Sequence, residues 1–123
     1  DFYYDYYFYL LKHTKKDEAV DILNKLYNKQ KEIKAYIYSP FVEMALSKLE
    51  EDKNNIDKSK DYLIEGLENT RRIKPNDEVK IYYDLINIYD LQNNKAKKQE
   101  YITRCKEVEG SVDSLYKKMC DEM

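Results

Sequence analysis

Apolar residues recur along this chain in steps of three and four, and short polar clusters interrupt them at regular intervals. The opening stretch, DFYYDYYFYLLK, is the densest, with seven aromatic residues among its first nine. A half-buried strand would alternate polar residues with the rings, and only Asp5 interrupts them. On a helix, Tyr3, Tyr6, Tyr7 and Leu10 form one stripe, and Tyr4, Phe8 and Leu11 form the adjacent one. A helix so widely apolar must be covered on two sides. Tyrosine suits that place, because its ring packs while its hydroxyl reaches water or a ligand.

The same spacing predicts six further helices. Thr14 is placed to cap a second, with Asp17 favouring the positive end of its dipole and Ala19, Ile22, Leu23, Leu26, Ile33 and Ile37 inward. Ser39 as cap and Pro40 at the first helical position open a third, carrying Val42, Ala45, Leu46 and Leu49. A fourth runs from about Asp57 to Ile73 with Leu63, Gly66, Leu67 and Ile73 inward. Asn76 or Asp77 caps a fifth, built on Val79, Tyr82, Leu85, Ile86 and Tyr89. The sixth carries Tyr101, Ile102, Cys105 and Val108 and ends at Gly110, after which Ser111 caps a short seventh with Val112, Leu115, Tyr116 and Met119 on one side.

These helices come in similar pairs. The stretches YLLKHTKKDEAVDIL, KLEEDKNNIDKSKDYL and NIYDLQNNKAKKQEYI each lead from a helix end through a polar turn into an apolar helix. Ala19, Ser59 and Lys98 share one place in the three copies, and the period is about forty residues. Such a period predicts a solenoid of helical hairpins rather than a closed bundle.

Composition agrees with that reading. The chain has 123 residues, enough for one core, and only two glycines and two prolines. Charged residues are abundant but balanced, for a net charge of −2, which argues against a nucleic-acid surface. The local basic clusters around Lys12, Arg72 and Lys97 read as solvated helix ends. No run of about eighteen apolar residues is present, so no membrane-spanning helix is expected, and the first residues lack the features of a signal peptide. A start at Asp1 rather than Met suggests a domain excised from a larger protein. If Cys105 and Cys120 lie on an antiparallel hairpin turning at Gly110, they are offset by roughly 7.5 Å along the axis, a poor approach for a bridge. Two reduced, buried thiols in a cytosolic protein are therefore expected.

The paired helices resemble the tetratricopeptide-repeat family. The matching residues are Tyr3, Tyr6, Leu10, Ala19 and Leu23 in the first hairpin, then Val42, Ala45, Leu49, Ser59, Leu63 and Gly66 in the second. Tyr82, Leu85, Tyr89, Ile102 and Cys105 match in the third. Tyr7 and Lys98 depart from the small residues of the family pattern, and the period exceeds its usual length of about thirty-four. The resemblance implies an all-α, right-handed array of three antiparallel hairpins, at about 1–37, 39–74 and 76–109, plus a capping helix at 111–122. More loosely, this Lys-, Asn- and Tyr-rich, long-helix variant resembles the repeat domains of peptide-pheromone receptors of Gram-positive bacteria, which are cytoplasmic transcription regulators.

No catalytic constellation accompanies the fold. His13, the only histidine, sits in a basic turn without an acid or nucleophile and reads as solvated. Neither cysteine has a histidine partner, no zinc-type spacing or glycine-rich phosphate loop occurs, and LEEDKNNID lacks the glycine of a calcium loop. The chain is thus expected to be neither an enzyme nor a holder of metal or cofactor. What remains is a surface. The resemblance implies a concave face lined by Tyr4, Phe8 and Leu11, by Glu43, Ser47 and Glu50, and by Lys80, Tyr83 and Asn87. Rings there would form side-chain pockets and the amide would bind a peptide backbone, so the expected partner is a peptide or protein segment. The alternative is a scaffold whose aromatic first helix packs against another repeat or a second copy in a homodimer, with no contact to nucleic acid or membrane.

Overall fold

The computed structural model describes residues 2–13, 15–70 and 72–123, and the side chains of Phe2, Tyr3, Tyr4 and Phe8 lie outside the described set. The described residues form helices joined by short connections, without a strand, as the periodicity predicts. The elements are α1 (Phe2–Lys12), α2 (Lys16–Ile33), α3 (Phe41–Asp52), α4 (Ile56–Asn69), α5 (Pro75–Leu91) and α6 (Lys95–Val108). A 3-10 turn (Glu109–Ser111) then leads to α7 (Ser114–Asp121). The broadest contacts join consecutive helices, α1 with α2, α3 with α4 and α5 with α6.

The three turns inside these pairs share one hydrogen-bond plan. The amides of Lys15, Asn55 and Asn94 donate to the carbonyls of Leu10, Glu50 and Tyr89, five residues back, at 3.0, 2.8 and 2.9 Å. Four residues further on, the amides of Ala19, Ser59 and Lys98 donate to the carbonyls of Lys15, Asn55 and Asn94 and start the next helix. Ala19, Ser59 and Lys98 are therefore equivalent in backbone terms, as their alignment predicts. A left-handed residue is needed just after α3 and α5, and in this glycine-poor chain asparagine fills the place: Asn54 has φ 66° and Asn93 has φ 54°. Asn94 also caps α6 by accepting from the Lys97 amide at 3.1 Å.

Two buried clusters hold the helices together. One joins Tyr7 and Leu10 of α1, Ala19, Ile22, Leu23 and Leu26 of α2, and Val42 and Leu46 of α3. The other gathers Leu63 of α4, most of the apolar face of α5, Tyr101, Ile102 and Cys105 of α6, and Cys120 of α7. Expected inward positions mostly fall in these clusters. Ile33, Ile37 and Leu115 do not; they are exposed.

Several boundaries differ from expectation for local reasons. Pro40 takes the cap position and α3 starts at Phe41, because the Ser39 hydroxyl donates to the Glu43 carboxylate instead of capping the helix. α4 stops at Asn69, and the Thr70 hydroxyl takes the Gly66 carbonyl at 2.7 Å. Pro75 is the first residue of α5, preceded by Lys74 in extended conformation. Asn76, expected as a cap, instead pairs with Asp113: its side-chain oxygen accepts from the Asp113 amide at 3.1 Å, and its amide donates to the Asp113 carboxylate at 2.9 Å. The proposed Thr14 cap lies outside the described residues.

The cysteines are bonded to each other rather than reduced, with their Cα atoms 5.7 Å apart. The expectation assumed a hairpin retracing α6 from Gly110. Instead α6 runs into the 3-10 turn, Val112 is extended (φ −112°, ψ 162°), and α7 returns with broader contact to α5 than to α6. That path sets Cys120 beside Cys105 instead of a turn and a half away. The bond also removes reduced thiols as an argument for a cytosolic location.

Candidate functional site

A cavity of about 720 Å³ is an open groove lined from α1, α3 and α5 and from the connections before α3 and α5. α1 contributes Tyr7 and Leu11, which are four residues apart and so share a face. Phe41, Met44 and Ala45 of α3 form the centre, and the Phe41 ring meets that of Tyr7 edge-on with centroids 5.9 Å apart. α5 contributes Asp77 and Lys80, whose charged ends lie 3.9 Å apart. The connections complete the rim: Ile37 to Pro40 before α3, and Thr70, Arg72, Ile73 and Lys74 before α5. Burial raises the pKa of the Tyr7 hydroxyl, keeping it a neutral hydrogen-bonding group at physiological pH.

Of the nine residues expected on a concave face, Leu11 and Lys80 line this groove. Lys80 also lies 5.5 Å over the Tyr116 ring, which ties the groove wall to α7. Tyr83 and Asn87 are exposed on α5 but do not line the cavity. The side chains of Tyr4 and Phe8 lie outside the described residues.

Glu43 and Ser47, expected on the concave face, are both buried between α3 and α4. The Ser47 hydroxyl is 2.8 Å from that of Ser59, and the Glu43 carboxylate accepts from Ser39. Gly66 makes room for this seam, since a Cβ there would lie 3.1 Å from the Glu43 Cβ and 3.2 Å from the Pro40 Cβ. Gln30 joins it, accepting from the Tyr38 amide at 2.9 Å. The α3 residues that line the groove are Phe41, Met44 and Ala45, and Met44 is the immediate neighbour of the expected Glu43. Further along, Asp84 of α5 keeps an exposed edge, yet the protein crowds its carboxyl. That desolvation, reinforced by the Glu51 charge and opposed by Lys48, pushes its pKa up to about 6.

Tyr7, Phe41, Met44, Arg72 and Lys74 are groove residues that sequence reasoning missed. In the sequence pattern Tyr7 falls on the packing stripe, and Arg72 and Lys74 read as a solvated helix end. The run RRIKPND carried a usable signal, an apolar residue flanked by cations immediately before a helix-starting proline. His13 lies over the Tyr9 ring, with centroids 4.3 Å apart, and its Nδ1 is 3.0 Å from the Tyr9 carbonyl. Among the described residues, no three acidic, cysteine or histidine side chains gather as metal ligands, and no helix is long and apolar enough to cross a membrane. Comparison with protein-family models, curated proteins and solved structures gives no match to this chain.

Proposed function

We propose that this chain is a helical-repeat module, organised like a tetratricopeptide array of three hairpins and a capping helix, that binds a peptide or protein segment in the groove between α1, α3 and α5. The recurring turn at Leu10, Glu50 and Tyr89 supports the array. The observation that carries the binding reading is the groove itself: its volume and its mixture of apolar centre and polar rim suit a ligand site. A regulatory domain of a cytoplasmic transcription regulator, sensing a short peptide, is the use this reading assigns to the module.

Selection from a random peptide library followed by anisotropy measurements tests it. Selected peptides should bind the wild type and lose affinity at least tenfold against Leu11→Glu, which puts a charge on the apolar groove wall at an exposed residue outside both buried clusters. Peptides that bind both proteins equally, or a library that yields none, would overturn the groove as the site. Circular dichroism of the variant confirms that the loss is local.

A further inference from the structure

The groove is not electrically representative of the molecule that carries it. The chain as a whole is acidic, with a net charge of −2 and a pI near 5.5. Yet the described residues lining the groove include Arg72, Lys74 and Lys80 against one carboxylate, Asp77. Asp77 lies within ion-pair distance of Lys80, leaving Arg72 and Lys74 as the excess. Both are exposed, on the short connection between α4 and α5. The apolar wall comes from elsewhere, from Tyr7 and Leu11 of α1 and Phe41 and Met44 of α3. Segregation of this kind gives a ligand two ends to match.

We propose that the groove's occupant is a short peptide segment with apolar side chains at one end and carboxylates at the other, the apolar end against α1 and α3 and the carboxylates against Arg72 and Lys74. This deepens the peptide-binding reading and rests on it. The physical basis is complementarity. Arg72 presents a planar fork that pairs with a carboxylate through two hydrogen bonds, and Lys74 adds a mobile point charge beside it. Exposed pairs of this kind add modest affinity, but they select orientation and reject a basic partner. A basic or neutral apolar peptide would fill the same wall and leave the cations unanswered.

Three fluorescent peptides with one apolar core, Leu-Phe-Ile-Leu, decide the matter: one ends in Glu-Glu, one in Gln-Gln with an amidated terminus, and one in Lys-Lys. The Glu-Glu peptide should bind roughly tenfold tighter than the Gln-Gln peptide, an advantage that shrinks as salt rises from 50 to 500 mM. The double variant Arg72→Ala/Lys74→Ala, at exposed connection positions, should erase the advantage, so that the Glu-Glu and Gln-Gln peptides bind it alike. If all three peptides bind alike, the groove holds apolar segments without reading charge, and this inference fails while the peptide-binding function stands. If none binds, and sedimentation shows a mass rising with concentration that Leu11→Glu abolishes, the groove is filled by a second copy and both fail. Absence of both binding and self-association also overturns both.

Discussion

At the scale of single residues, the surprises are polar groups at helical core spacing. Hydrophobic periodicity cannot see Glu43, Ser47 or Ser59 as buried, because their burial depends on the neighbours the fold brings to them rather than on their own character. Ser47 and Ser59 satisfy each other, and Ser39, one turn earlier, donates to one oxygen of Glu43, whose other oxygen is buried without a hydrogen bond. Gly66 is where sequence reasoning succeeded: a glycine inside a helix without a positive φ implies close approach, and α3 does approach it there. Gly66→Leu should overpack the seam and cost on the order of 1–3 kcal/mol in urea unfolding; a neutral result would mean that α3 and α4 can separate freely. Asp84 gives a second test. Its folded pKa lies above the unfolded one, so the folded state binds more protons between the ordinary carboxylate range and about 6. Stability should therefore fall as pH rises through that window, and the cost should be complete above it. Asp84→Asn should flatten this dependence and stabilise the protein at neutral pH, by at most about 1 kcal/mol because solvent screens an exposed carboxylate. A variant with an unchanged pH profile would show that Asp84 is not the group responsible.

At the scale of elements, the number and order of helices were legible because each is amphipathic and each break is polar. The turns were legible as polar breaks, but the left-handed asparagines inside them, Asn54 and Asn93, were not. The path from α6 to α7 was not. It turns on the extended conformation of Val112 and the pairing of Asp113 with Asn76, a residue 37 positions earlier, and no local pattern encodes that contact. The consequence is the bond between Cys105 and Cys120. α7 has only eight residues, too few to be stable alone, so its position depends on this link, on Asn76 and on the packing of Tyr116 and Met119. The bond closes a loop with a sequence separation of 15, for which chain entropy gives about 3 kcal/mol. Reduction, or Cys120→Ser, should lower the melting temperature, and amides of α7 should exchange faster than those of α5. If thiol titration under denaturing conditions finds two free thiols in protein kept from reductant, the bond does not form in solution.

At the scale of the whole molecule, the two buried clusters make stability regional. Leu10 is wholly buried in the first, with α2 and part of α3; Leu85 is wholly buried in the second, with α6 and α7. α3 and α4 feed both, since Val42 and Leu46 belong to the first cluster while Met44 and Leu63 pack in the second, and Tyr62 returns to the first. Contacts between successive pairs are much sparser than contacts within them. In such an arrangement each pair contributes its own stability plus a nearest-neighbour term, and damage need not spread evenly. Leu10→Ala and Leu85→Ala should each cost about 2–5 kcal/mol, as truncations in a packed core do. Their effects on native-state hydrogen exchange should nonetheless separate. Leu10→Ala should speed exchange first in α1 and α2, with α5 and α6 retaining most of their protection, and Leu85→Ala should do the reverse. α3 and α4, shared by both clusters, should respond to either. Equal acceleration in all helices from both variants would mean that the chain opens as one cooperative unit and that the two clusters act as a single core. Regional loss would instead place the groove, whose walls come from α1, α3 and α5, across the seam between them. A ligand bound there would touch both clusters at once, and so would protect α1 and α5 together.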